Sequence, residues 1–425
     1  MRLTIPVGEV ARRLRFLFDT KSGATPSSGV EEYWDGDINW VTPEDLGKLE
    51  DRYVRETRRR ITEEGYKNCG VGLALAGSIV LSKRAPIGQT AILAVPSTCN
   101  QGCFLLTKLD GVDERFYFYS LIHLRPALEA LGRGSTFMEL SADDLRSILL
   151  PFPNEERQRL IANYLDRETA RIDGLIAEKE RMLALLEEKR AALISRVVTR
   201  GLDPNAPLKP SGHEWLGEIP AHWRVERAKN LFVVRDERSD DGTEELLTVS
   251  HITSVTSRSE KDVYMFEADD KAGYKRCMPG DLAINTLWAW MGAMGISPLA
   301  GIVSPDYHVY TSKGELLPEY VDLLCRSRPF VAEVNRWSKG VWSSRLRLYP
   351  ESFFEMRLPV PPHDEQLEIV RAVEVDQRKA NALRESLQLS ITLAKERRAA
   401  LITAAVTGQI AIDDKTQDRT GANST

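Results

Sequence analysis

Six stretches of this chain set basic, hydroxyl and aromatic side chains close together, a combination that can grip a polyanion and read a base edge. In the first half they are Lys21-Ser-Gly-Ala-Thr-Pro26, with Lys21 and Thr25 as candidate contacts, the pair Lys83-Arg84, and Arg133-Gly-Ser-Thr136, with Arg133, Ser135 and Thr136. In the second half they are Trp288-Ala-Trp290, with both tryptophans, and Ser304-Pro-Asp-Tyr307, with Ser304 and Tyr307. The last is Arg336-Trp-Ser-Lys339 running to Trp342-Ser-Ser-Arg345, which offers Arg336, Lys339, Trp342, Ser343 and Arg345. Arginine and hydroxyl groups reach phosphates and base edges, and an aromatic ring covers a thymine methyl or a base face. Each residue singly has a plainer explanation, since a tryptophan is more often core and a Lys-Arg pair more often a solvated turn. As a set they point to DNA contact.

Catalytic constellations are missing. There is no GxxxxGK[ST] phosphate loop, no HExxH and no GxSxG elbow. The six histidines are scattered. Asp306 follows a proline, but no acidic-x-Lys partner completes a nuclease-like carboxylate site. No Asn- or Asp-Pro-Pro-aromatic loop is present to hold a flipped base, and Gly292-Ala-Met-Gly295 is too short for a cofactor loop. Two halves without a shared active-site motif look like two readers.

The elements that must position these loops are marked by an internal repeat. Leu150 to Gly201 aligns without a gap on Leu358 to Gln409, with fifteen of fifty-two positions identical, among them Pro151/Pro359, Gln158/Gln366 and Arg190-Ala-Ala-Leu-Ile194/Arg398-Ala-Ala-Leu-Ile402. Each copy predicts one long helix. Asn154 is an N-cap residue before Glu155 and Glu156, and Gly201 and Gly408 suit a left-handed C-terminal position. Apolar residues at heptad spacing, Ile161, Leu165, Ile172, Leu175, Met182, Leu186 and Leu193, predict a packing stripe. The second copy supplies Ile369, Val373, Leu383, Leu387 and Leu401. A helix from Glu155 to Val198 would be about 66 Å long, and two such helices would most simply pack on each other as a coiled coil. Gly174 marks a bend or a close crossing.

The repeat continues outside the helices, with Ile5-Pro6 and Leu17-Phe18 matching Ile219-Pro220 and Leu231-Phe232. The order is therefore a first globule at 1–153, a long helix at 154–200, a Pro-rich linker at 201–217, a second globule at 218–362, a second long helix at 363–408, and a disordered tail at 409–425. Each globule has mixed α/β signals. Ser78–Ser82, Ala91–Val95 and Phe104–Thr107 predict strands and Phe116–Ala130 a helix. In the second globule Asp281–Ile284, Gly301–Val303 and Tyr307–Tyr310 predict strands, and Pro318–Arg326 and Pro329–Trp337 helices.

The totals agree with such a chain. At 425 residues it holds two or three domains, and no apolar run approaches the roughly 18 residues of a membrane span. The five cysteines form no paired CxxC set, so they read as reduced thiols in a cytoplasmic protein without a metal site. Net charge is −5, which argues against a uniformly basic DNA-binding domain. Both long helices are neutral, with nine acidic and nine basic side chains over Glu155–Thr199 and seven of each over His363–Gly408. Phosphate neutralisation must then come from local patches and from partners.

The tandem arrangement resembles the specificity (S) subunit of type I restriction-modification systems. Local segments are similar too: Gly23-x-Thr-Pro26 with Tyr33-Trp-Asp-Gly-Asp-Ile-Asn-Trp-Val-Thr-Pro43, Trp215-Leu-Gly-Glu-Ile-Pro-x-His-Trp223, and Pro361-Pro-x-x-Glu-Gln366. The resemblance implies two mixed α/β target-recognition domains, an α+β fold with pseudo-two-fold tandem repeat, joined by two long helices packed as an antiparallel coiled coil. It implies that each domain reads one half of a bipartite double-stranded DNA target. It also implies that two methyltransferase (M) subunits dock on the helices and that restriction (R) subunits join. S-adenosylmethionine, ATP and Mg would belong to those other subunits and no cofactor to this chain. Two departures stand out: Glu9 where the second copy has Trp223, and Arg157 where it has Glu365. Two rivals remain, a chain that itself methylates or cuts DNA and a coiled-coil scaffold that binds only protein.

Overall fold

The computed structural model describes residues 10–49, 51–70, 72–133, 138–260, 270–340 and 346–412. The chain forms two compact units, one from Met1–Lys179 with Leu389–Thr425 and the other from Glu180–Gln388. Each unit thus holds one globule with part of both long helices, Glu155–Arg200 and His363–Val406. The linear order of globule, helix, globule, helix does not correspond to the way the chain packs.

In the first unit the continuous apolar runs become strands covered on both faces. A five-stranded sheet has the order Phe18–Ser22, Cys103–Lys108, Ile79–Ser82, Thr90–Leu93, Tyr53–Val54. A second sheet sets Trp34–Val41 between Arg60–Ile61 and Ser97–Cys99. Helix Glu114–Leu131 starts at Asp113, whose carboxylate accepts from the Arg115 and Phe116 amides, and it buries Phe116, Tyr117, Leu121, Leu124 and Leu128. The core extends to Ile161, Ala162 and Leu165 of the first long helix and to Ile402, Ala405 and Val406 of the second. Arg157 donates to the Ile412 carbonyl and Asp173 pairs with Arg398 at 2.8 Å, so position rises along one helix as it falls along the other and the two run antiparallel in this unit. Asp166 fixes the globule to the helix through Arg52, the Tyr119 hydroxyl at 2.9 Å and Arg115 at 3.1 Å.

The second unit repeats this frame. Arg224–Arg227 pairs antiparallel with Arg357–Val360, as Ala11–Arg13 pairs with Leu149–Pro151 in the first unit. A four-stranded sheet has the order Phe232–Val234, Tyr307–Ser312, Leu282–Asn285, Met294–Ile296. Helices Pro318–Arg326 and Arg328–Trp337 carry Pro318 and Pro329 within their first two positions, where a proline does not disturb the turn. The core joins Ile194, Val197 and Val198 to Ile369 and Val373, and Glu187 pairs with Arg384, so the helices are antiparallel here as well.

The packing stripe departs from heptads. Leu175 and Leu383 are each 50% exposed, and Met182 is also exposed. The buried positions recur every eleven residues instead. In the first helix they are Ile161, Ile172 and Ile194, with half-buried Leu183 at the third place of the series, and in the second Ile369, Ala380, Ile391 and Ile402. Leu165 and Ile176 make a parallel row with the same spacing. Eleven residues in three turns is 3.67 per turn, closer to a straight α-helix than 3.5, so extrapolated heptads drift off the seam within two repeats. Val373 and Leu387 are buried, while Leu186, Leu193 and Leu401 are half-buried. A side chain at Gly174 would meet nothing within 4 Å, so no close crossing lies there.

Two boundaries also differ from expectation. Residues 201–217 are not a free linker: Leu208–Pro210 pairs with Glu218–Pro220, and Leu216 is buried. Gly201, at φ +72, fits against Glu365 and Trp223. At the other end, residues 409–412 pack on the first unit, where Ile412 is buried and its carbonyl accepts from Arg157. The remainder of the expected tail lies outside the described residues, as do Glu9 and the Ile5-Pro6 match.

Candidate nucleic-acid interface

In the first unit Lys21 and Thr25 flank a turn that must approach another backbone closely. A Cβ at Gly23 would lie 2.1 Å from the Asn100 carbonyl oxygen, so only glycine fits. The Ala24 amide donates to the Cys99 carbonyl at 3.1 Å, and the Ala24 carbonyl accepts from Trp40 Nε1 at 2.9 Å. This presents the Thr25 hydroxyl to Gln101, its hydrogen-bond partner. Lys21 is exposed beside Asp19 at 3.6 Å. Cys99 and Cys103 lie beneath; burial pushes the Cys99 thiol up to about 12 and raises Cys103 as well. Among the described residues no cluster could hold a metal ion.

Lys83, Arg84 and Arg133 come together, but around carboxylates. Lys83 and Arg84 both bind Glu139 at 2.9 Å, and Arg133 pairs with Asp144 at 3.5 Å. The Lys83 hydrogen bond, followed by that from Arg84, holds the Glu139 carboxyl below its ordinary value. Lys83 is largely buried and covers the Phe104 ring. Its charge is committed within the fold, and Arg133 is the most exposed of the three. Ser135 and Thr136 lie outside the described residues.

Arg55, Arg58, Arg59 and Arg60 form a basic edge that residue pattern alone did not single out, although a run of three arginines was its signal. Arg55 pairs with Asp51 at 2.7 Å, Arg58 with Glu44 at 3.3 Å and Arg60 with Glu56 at 3.9 Å. Arg59 instead lies over Trp34, its guanidinium carbon 3.6 Å from the ring centroid. Trp34 and Trp40 meet edge to face at 5.1 Å, and both are buried.

In the second unit Trp288, Trp290, Ser304 and Tyr307 gather at one end of the four-stranded sheet. The 3-10 turn Ala289–Met291 lies three residues beyond strand Leu282–Asn285, whose last residue pairs with Tyr307. Asn285 Nδ2 donates to the Tyr307 hydroxyl at 3.0 Å, and burial raises that phenol's pKa. Trp288 stacks on Trp290 at 6.2 Å and stays 48% exposed, a large aromatic surface left open. Beside Trp290 is a cavity of about 400 Å³ walled also by His251, Arg326, Arg328 and Asn335. Among the described residues Arg328 makes no ion pair, which sets it apart from Arg336, held by Glu333 and Glu214, both at 3.1 Å. Lys339 is exposed and bridges to Arg347 through its backbone. Trp342, Ser343 and Arg345 lie outside the described residues.

Residues 6–182 match the family model described as type I restriction modification DNA specificity domain. The first globule and the start of the first long helix are thus similar to that domain. The chain's relatives include the MjaIX specificity subunit of Methanocaldococcus jannaschii, 35% identical over 54% of this chain and 53% of the relative. The EcoprrI specificity subunit of Escherichia coli is 26% identical over 67% and 76%. The chain thus spans about half the length of the first of these relatives. Among solved structures, a chain from work on assembly and conformational transition of the type I R-M system superposes with TM-score 0.68 at 14% identity, covering 96% of this chain and 99% of that one. The HsdS subunit of Thermoanaerobacter tengcongensis superposes with TM-score 0.54 at 15% identity over 96% and 98%. At these identities the likeness is one of fold. It matches the expected specificity-subunit architecture of mixed α/β domains with two long helices. No helix among the described residues is long and apolar enough to cross a membrane.

Proposed function

We propose that this chain is a non-catalytic, sequence-specific DNA-recognition subunit, each unit reading one half of a bipartite target. The observation that carries the reading is a duplicated frame with unlike tips. Gln158 and Gln366 sit in matching hydrogen-bond sets at the helix starts, whereas one unit exposes an arginine on buried tryptophans and the other a tryptophan stack. A shared frame positions the readers and different tips give different half-sites. Two methyltransferase subunits docking on the long helices, and restriction subunits joining them, complete the activity and bring S-adenosylmethionine, ATP and Mg.

The test is selection from a random double-stranded DNA pool by the chain assembled with its methyltransferase subunit. A bipartite motif is expected. Replacing the first globule with that of a relative should change one half of the motif only. No selected motif would leave a protein scaffold, and methyl transfer by the purified chain alone with S-adenosylmethionine would make it an enzyme.

A further inference from the structure

We infer that Arg59 is a base-reading residue of the first unit and that its ligand is a guanine edge in double-stranded DNA, an inference resting on the DNA-reading function proposed above. Of the four arginines on the 55–60 edge, three are paired with carboxylates. Among the described residues Arg59 makes no ion pair. Its guanidinium lies on the face of Trp34, an interaction that uses the π surface and leaves the N–H edge free.

The platform beneath it is rigid. Trp34 Nε1 donates to the Ser27 carbonyl at 3.3 Å and Trp40 Nε1 to the Ala24 carbonyl at 2.9 Å. The loop that carries Arg59 is pinned as well. Asn39 Nδ2 donates to the Arg55 carbonyl at 2.9 Å, and the Trp40 amide to the Thr57 hydroxyl at 3.2 Å. The Thr57 hydroxyl donates to the Arg59 carbonyl at 2.6 Å, and the Arg58 amide to Asp45 at 3.1 Å. A planar fork held in this way loses little freedom on binding, which suits bidentate recognition.

Charge decides between a base and a phosphate. Arg59 opens on a cavity of about 290 Å³ that also holds Arg58, Glu44, Asp45, Asn100 and Trp40. Two arginines against two carboxylates leave no net attraction for an anion. The neutral guanine edge, with its O6 and N7 acceptors, matches the fork without meeting the carboxylates' repulsion.

The test compares the wild type, Arg59→Lys and Arg59→Ala, each assembled with the methyltransferase subunit, by selection from a random DNA pool and by salt titration of binding. Arg59→Lys keeps the charge and removes the fork, and its thermal midpoint serves as the folding control. A wild-type motif with a guanine in one half-site, lost by about ten- to hundred-fold in discrimination in both variants with the other half-site unchanged, is the expected result. If Arg59→Ala weakens binding equally on all sequences and lowers the salt slope by about one, while Arg59→Lys binds as wild type, the residue holds a phosphate and the inference fails. It fails also if both variants select the wild-type motif with wild-type affinity. Should the wild-type assembly select no motif, the DNA-reading function falls first and this inference with it.

Discussion

Gln158 and Gln366, both fully buried, make the same three hydrogen bonds, each within its own unit. Gln158 Oε1 accepts from the Asp113 amide at 2.8 Å, and its Nε2 donates to the carbonyls of Gly111 at 3.0 Å and Pro153 at 2.8 Å. Gln366 Oε1 accepts from the Leu317 amide at 2.8 Å, and its Nε2 donates to Glu315 and Pro361 at 3.0 Å. Each glutamine ties the first turn of a long helix to the loop before a globule helix. Gln158→Leu should leave one amide and two carbonyls without partners, at about 1–3 kcal/mol for each group that water cannot reach. Faster hydrogen exchange at Asp113 with unchanged exchange at Leu317 is expected, and the reverse for Gln366→Leu. Equal effects in both units from one substitution would show that the glutamines do not act locally.

The seam gives a second contrast. Ile391 is 2% exposed on the eleven-residue repeat, whereas Leu383 is half exposed off it. Ile391→Glu should cost about 3 kcal/mol or more by burying a carboxylate, while Leu383→Glu should stay within about 0.5 kcal/mol. Denaturant unfolding of the chain alone measures both. Similar losses from the two would restore the heptad seam.

Legibility followed sequence distance. The buried strands and the helices were readable because apolar runs and caps are local signals, and Ile79–Ser82, Gly301–Val303 and Pro318–Arg326 fall where they are predicted. The seam period was not, because heptads and eleven-residue repeats share their first steps and separate only at Leu175 versus Ile176. Nor could Lys83-Arg84 be told from Arg59. Which arginine stays free depends on Glu139, 55 residues from Arg84, and on Trp34. The Pro-rich stretch after Gly201 reads as a linker until Leu216 and Trp223 are seen buried against the helix end.

Acid should act on the second unit through His308. Burial first, then the nearby Lys275 ammonium, lowers its pKa from 6.5 to about 4, against weaker raising effects of Glu351 and Asp306. Lys275 Nζ approaches Nδ1 at 3.4 Å while donating to the Tyr307 carbonyl at 2.6 Å. As pH falls the unfolded chain binds this proton before the folded one does, so the contribution is complete above about 6.5 and disappears between 6.5 and about 4. His308→Gln should flatten the pH dependence of stability in that window. A variant with the wild-type slope would assign the acid sensitivity to carboxylates.

The chain passes from one unit to the other twice, after Lys179 and after Gln388, and both passages lie inside the long helices. If helix length sets the distance between half-sites, insertions must be made at both points to keep the antiparallel pairing and must be whole eleven-residue repeats to keep the seam. One repeat adds about 16.5 Å, near five base pairs, which turns the second half-site to roughly the opposite face of the duplex. Two repeats add about 33 Å, close to the 34–36 Å of a full DNA turn, and bring that face back. The eleven-residue repeat itself rotates the units little, because three turns of a straight helix nearly close on eleven residues. The single-repeat variant should therefore lose specific methylation by the assembled complex. The double-repeat variant should recover it, with both half-site sequences unchanged and a spacer longer by about ten base pairs. Genome-wide mapping of methylated sites reads both outcomes. Full activity on the original spacer in either variant would show that helix length does not set the distance.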